Sequence, residues 1–99
     1  MNITSRGDNF FRGTAGPGTT VVSNIAATVK RIVWGGSYVG TINVHDAASA
    51  GGTTATSSIV TLGIPLLRYP DSLEINLHCK NGIVVEETGT PIHTIIWGQ

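Results

Sequence analysis

This sequence predicts an all-β fold, an antiparallel β-sandwich or jelly roll of seven or eight short strands, on three observations. Apolar and polar residues alternate at period two in several stretches, as strands with one face on a core require. Glycine- and proline-bearing joints recur at about ten-residue spacing, the rhythm of short antiparallel strands. No stretch carries the 3.6-residue apolar period of an amphipathic helix.

Residues 1–18 are expected to form an N-terminal arm, and residues 19–99 a single sandwich domain. The arm holds Arg6, Phe10, Phe11 and Arg12, followed by the turn-forming Gly16-Pro17-Gly18, which cannot continue a helix. Thr19-Thr20-Val21-Val22 opens the domain. Ala27–Trp34 is rich in β-formers, but its alternation is imperfect: strict period two puts Lys30, Ile32 and Trp34 on one face. Gly35-Gly36 ends it, and Gly40–Asp46 is expected to return as its hairpin partner, with Ile42 and Val44 facing a core. A small polar loop over 47–57 leads to a short strand, Ile59–Leu62. Pro65 and Pro70 confine the next segment to an edge or a shaped connection. Leu73, Ile75, Leu77 and Cys79 then face in, while Glu74, Asn76, His78 and Lys80 face out. Asn81-Gly82 suits a type I′ turn, so Ile83–Glu86 is expected to pair back on that strand. Ile92–Trp97 closes the domain.

Composition narrows the function. Charged residues are 12% of the chain, and six Lys+Arg balance six Asp+Glu. Phosphate neutralisation needs a basic excess, so nucleic acid is not an expected partner. No run approaches the length of a membrane helix, and Met1–Asp8 holds no apolar block of a signal peptide, so synthesis in a cytoplasm is expected. A surface this poor in charge is weakly protected against self-association. The chain is therefore expected to be a homo-oligomer.

No pattern of catalytic, metal-binding or cofactor-binding residues stands out, and none is expected. His45, His78 and His93 lack the close pairing of zinc ligands and suit solvated strand positions. Cys79 suits a small buried hydrophobe, and it cannot pair with His78 because adjacent strand residues point to opposite faces. Asp46 and Asp71 sit where turns begin, and no phosphate-cradling glycine motif is present. Arg6-Gly7-Asp8 spells an integrin-type tripeptide, a match that arises easily by chance. Trp34, Tyr38, Tyr69 and Trp97 are candidates for a sugar-binding patch, but Trp34 and Trp97 better suit a core or an intersubunit position. Phe10 and Phe11 are costly to leave in water. They either fold back on the domain or anchor to a partner, and Arg6, Phe10, Phe11 and Arg12 are the candidate partner-binding residues.

The succession Thr19-Thr20-Val21-Val22, Lys30-Arg31-Ile32-Val33, Gly40–Asp46, Asn81–Thr90 and His93–Trp97 resembles a group of small β proteins of tailed bacteriophages. The resemblance covers residues 19–98, with His45 where the phage pattern carries Tyr, and the arm has no counterpart in it. It implies a virion component, above all a head decoration (cement) protein. Such a protein sits as a trimer on the major capsid protein at the capsid surface and stabilises the shell. The alternative implied is a structural or receptor-binding module of a tail or fibre.

Overall fold

A computed structural model describes residues 9–13, 17–34, 40–53, 56–64, 71–89 and 93–98. Among these residues the chain forms eight strands: β1 (Asn9–Arg12), β2 (Gly18–Ser23), β3 (Ala27–Trp34), β4 (Gly40–Asp46), β5 (Ser58–Ile64), β6 (Asp71–Cys79), β7 (Ile83–Gly89) and β8 (His93–Gly98). They make two antiparallel sheets, ordered β1-β8-β3-β6 and β2-β7-β4-β5. This is the strand order of a jelly roll, with β1 on β8, β2 on β7, β3 on β6 and β4 on β5.

The inner faces of the two sheets supply one core. Ala27, Val29, Ile32, Trp34, Cys79 and Ile95 come from the first sheet, and Ile42, Val44, Ile83 and Val85 from the second. Each fully buried aliphatic side chain contributes about 1.5–3 kcal/mol by leaving water, so this cluster dominates the favourable side of folding.

The irregular alternation of β3 has a simple cause. Against β8, Val29 pairs with Trp97 and Arg31 with Ile96, so Lys30 is one residue extra. This β-bulge shifts the phase. Val29 and Ile32 therefore both face inward, with Ala27 and Trp34, while Arg31 and Val33 face out. Opposite the same point, β6 fits Ile75 and Asn76 between Leu77 and Glu74. Asn76 adopts φ 52°, a left-handed conformation that Asn tolerates better than most residues.

Two expected hairpins are replaced by crossings between sheets. Both edges of β3 are occupied, by β6 and β8, so β4 lies instead between β5 and β7 in the other sheet. Likewise β7 does not return on β6 but pairs with β2 and β4. Asn81-Gly82 is accordingly no type I′ turn, which needs positive φ at both residues: Gly82 has φ 147° and Asn81 does not. The Asn81 N–H donates to Asp46 Oδ1 at 2.9 Å, and Gly82 packs on the carbonyl oxygens of Ser23 and Ala47. The connections after β2, β4 and β6 thus meet at one end of the sandwich.

The stretch expected as an arm also contributes to the sandwich. Residues 9–12 form β1, paired residue for residue with Trp97 to Thr94 on β8, and the Gly13 N–H donates to the His93 carbonyl at 2.8 Å. The Phe11 side chain packs against the core, which accounts for the docking of so short a strand. Residues 1–8, with Arg6 and the Arg6-Gly7-Asp8 tripeptide, lie outside the described residues, as do Tyr38, Tyr69 and the Pro65–Pro70 segment.

Candidate functional site

Three features bear on function. The first is the outer face of the β1-β8-β3-β6 sheet. Phe10 pairs with Ile96, which pairs with Arg31, which pairs with Glu74. The next row on the same face runs Arg12, Thr94, Val33 and Ser72. Phe10 remains 69% exposed, Arg12 and Val33 are exposed, and Ile96 is half-buried. Arg31 is held in place by a 2.9 Å hydrogen bond to Ser72 Oγ and a 3.7 Å ion pair with Glu74. Aromatic and arginine side chains presented on a rigid sheet are the chemistry of protein-contact anchors. Of the four residues singled out in the sequence, Phe10 and Arg12 belong to this face, Phe11 turns inward, and Arg6 is not described. Period two alone separates Phe10 from Phe11 once the segment is a strand.

The second feature is the edge at β6. Leu73 and Leu77 lie opposite Ile32 and Val29, in phase with the core as expected. They are nevertheless 38% and 44% exposed, because the inner face is not covered out to this edge. Cys79, in the same phase, is buried. Burial, and secondarily the Asp46 carboxylate, pushes its thiol up to about 11 from 9.0, so it is an unreactive core residue.

The third feature is a pair of histidine networks, and here the structure corrects the sequence. His78 is exposed, hydrogen-bonded to Thr28 Oγ1 at 3.3 Å. His45 and His93 are buried rather than solvated. His93, the inward partner of Trp34, meets Glu87 from the opposite sheet: Nε2 to Oε2 is 2.7 Å, with both side chains wholly inaccessible. Because a carboxylate only accepts, the imidazole N–H donates. Gly13 backs directly onto this pair, leaving no space for a Cβ, and Phe11 tilts against the His93 ring at 6.1 Å.

His45 projects from the outer face of β4 and bridges two elements. Its Nδ1 lies 2.7 Å from Ser57 Oγ, at the end of the 47–57 loop, and its Nε2 lies 3.1 Å from Glu86 Oε1 on β7. The loop is anchored beside it by the Asp46 N–H donating to the Ser57 carbonyl at 2.8 Å. Residues 45, 57 and 86 are far apart in sequence, so no spacing could announce the cluster. The available hint was that His45 and Glu86 both fall on outward positions of core-flanking strands.

Among the described residues no group of three or more His, Cys, Asp or Glu side chains is placed to hold a metal ion, and no helix is long and apolar enough to cross a membrane. No protein-family model, curated protein or solved structure matches the chain.

Proposed function

We propose that this protein is a structural component of a phage virion: a decoration protein that binds the major capsid protein on the outside of the head and stabilises the shell. The observation that carries the reading is the outer face of the β1-β8-β3-β6 sheet, where Phe10 stands 69% exposed beside Arg12, Val33 and Ile96. A large ring left in water on a firmly paired strand suits a partner that buries it. The sequence resemblance to small β proteins of tailed phages supports the same assignment. The jelly roll by itself does not, because that fold serves capsids, lectins and enzymes alike.

In this reading the protein is a homo-oligomer, a trimer on the phage resemblance, and its contribution is mass action. A ligand that binds only the assembled shell stabilises it by RT ln(1 + [L]/Kd) per site. Nucleic acid has no part in this role, since the chain lacks a basic excess.

Immunogold electron microscopy of virus particles from the source tests the assignment. Dense label over the heads is the expected result. Label confined to tails would move the assignment to a tail or fibre module, and unlabelled particles would end the viral reading. On labelled heads, F10D/R12E protein should bind at least tenfold more weakly than the parent, a loss of about 1.4 kcal/mol. Unchanged binding would remove this face from the contact.

A further inference from the structure

From the His45 cluster we infer that Ser57 is an activated nucleophile, able to take an acyl group from small activated esters. The geometry has a nucleophile, a base and a group that orients the base, in one hydrogen-bonded chain. Glu86 Oε1 lies 3.1 Å from Nε2 and, as a carboxylate, accepts the hydrogen bond there, so the tautomer that acts as a base carries its lone pair on Nδ1. Ser57 Oγ lies 2.7 Å from that lone pair, so its hydroxyl donates to the ring. The His45 side chain is only 4% exposed, its two ring nitrogens both engaged, whereas Ser57 is half-buried and Glu86 45% exposed. The base is therefore rigid and shielded, and the nucleophile lies at the rim.

The neighbouring hydroxyl is used differently. Ser58 Oγ donates to Asn43 Oδ1 at 2.5 Å, an amide that is not a base, so Ser58 is not activated in this way. The 47–57 loop consists of Ala, Ser, Gly and Thr around a 3₁₀ turn at Ala50–Gly52. By sequence it supplies no large apolar side chain to hold a long acyl group, which points to a short one.

The step balances without any added reactant. Ser57 Oγ bonds to the acyl carbon as its proton passes to Nδ1 of His45. The ester C–O bond then breaks, and the alcohol leaves with that proton. Water, deprotonated by the same nitrogen, later releases the acid and restores the serine. Glu86 keeps the ring oriented and offsets the positive charge on the imidazolium.

The test is covalent labelling of the folded full chain with a fluorophosphonate probe, read by mass spectrometry of the peptide that holds Ser57. The expected result is one adduct per chain, on Ser57, with fluoride leaving. S58A should label like the parent, and H45Q should react about 10²-fold or more slowly, the usual contribution of a general base. E86Q should slow the reaction less, and should change its pH profile because the ring loses its orienting carboxylate. An equal rate in parent protein unfolded in urea, or no adduct on Ser57, would overturn the inference and leave His45 as a clamp holding the loop to the sheet. The urea control does not depend on any variant folding.

Discussion

Replacing Gly13 by Ala drives a methyl group into the buried His93–Glu87 pair. The added Cβ would overlap His93 Nε2 and lie 2.6 Å from His93 Cδ2 and 2.7 Å from Glu87 Oε2. Unstrained contacts of carbon lie at about 3.5–4.0 Å, so roughly 1 Å of movement is needed. Two responses are open. The pair can separate, which strands polar groups in the interior at a cost of about 3–5 kcal/mol. Alternatively, β1 can lift from β8. Losing the partial burial of Phe11 costs about 0.8–1.5 kcal/mol, half the value of a fully buried ring. The β1–β8 ladder is worth about 1 kcal/mol net per hydrogen bond, and freeing each residue returns about 1–2 kcal/mol of entropy, so those contributions nearly cancel. Lifting β1 is therefore the cheaper response, at about 1–2 kcal/mol. We expect trypsin to cut G13A after Arg12 about tenfold faster than the parent. The urea midpoint should fall by about 0.5–1 M, for a slope of about 2 kcal/mol per M. A loss above 3 kcal/mol with Arg12 still protected would refute this reasoning, because the pair would have opened while β1 stayed docked.

Three further outcomes follow from single positions. Ala at Gly82 meets the carbonyl oxygens of Ser23 and Ala47 at a φ of 147°, so G82A should lose about 3 kcal/mol or more in urea unfolding, combining backbone strain with overpacking. At Asn76, held at φ 52°, Gly should be tolerated, whereas Ala should cost about 1 kcal/mol, measured the same way. Cys79 holds its proton more tightly folded than unfolded. Its stabilising contribution is whole below pH 9.0 and is lost as pH rises through about 11. C79A should flatten that alkaline decline, and a thiol reagent near neutral pH should modify the native parent far more slowly than the unfolded chain.

The class of fold was legible because period two survives in β4 and β6, where Ile42, Val44 and Cys79 are buried as their phase requires. The pairing was not. Hairpin reasoning joins neighbours in sequence, whereas β3 and β4, and then β6 and β7, are neighbours in sequence that belong to opposite sheets. Asn81-Gly82 satisfies hairpin statistics, but the contacts made by Asn81 and Gly82 with Asp46, Ser23 and Ala47 are long-range, and a local rule cannot see them. The bulge at Lys30 is similarly invisible, because it exists only relative to β8. His93 and Glu87 look like surface residues by type. They become interior only because each offsets the other's desolvation across the two layers. At the candidate partner face, the aromatic-arginine composition of the segment was legible, and which aromatic points outward depended on residues 9–12 being a strand.

The strand order also bears on how the protein is made. β7 and β8 emerge last of the eight strands, yet each occupies an interior position, β7 between β2 and β4 and β8 between β1 and β3. While they are still inside the ribosome, β1 and β2 have no partner, and only the β4–β5 hairpin and the β3–β6 pair can form. Both layers therefore close after synthesis has passed Gly98, in a slow reaction dominated by contacts distant in sequence. A nascent chain stalled before Ile83 should stay protease-sensitive in β1 and β2, whose partners it lacks. An incomplete copy ending before β7 would leave both layers open, since β7 and β8 join strands that have no other contact between them in their sheets.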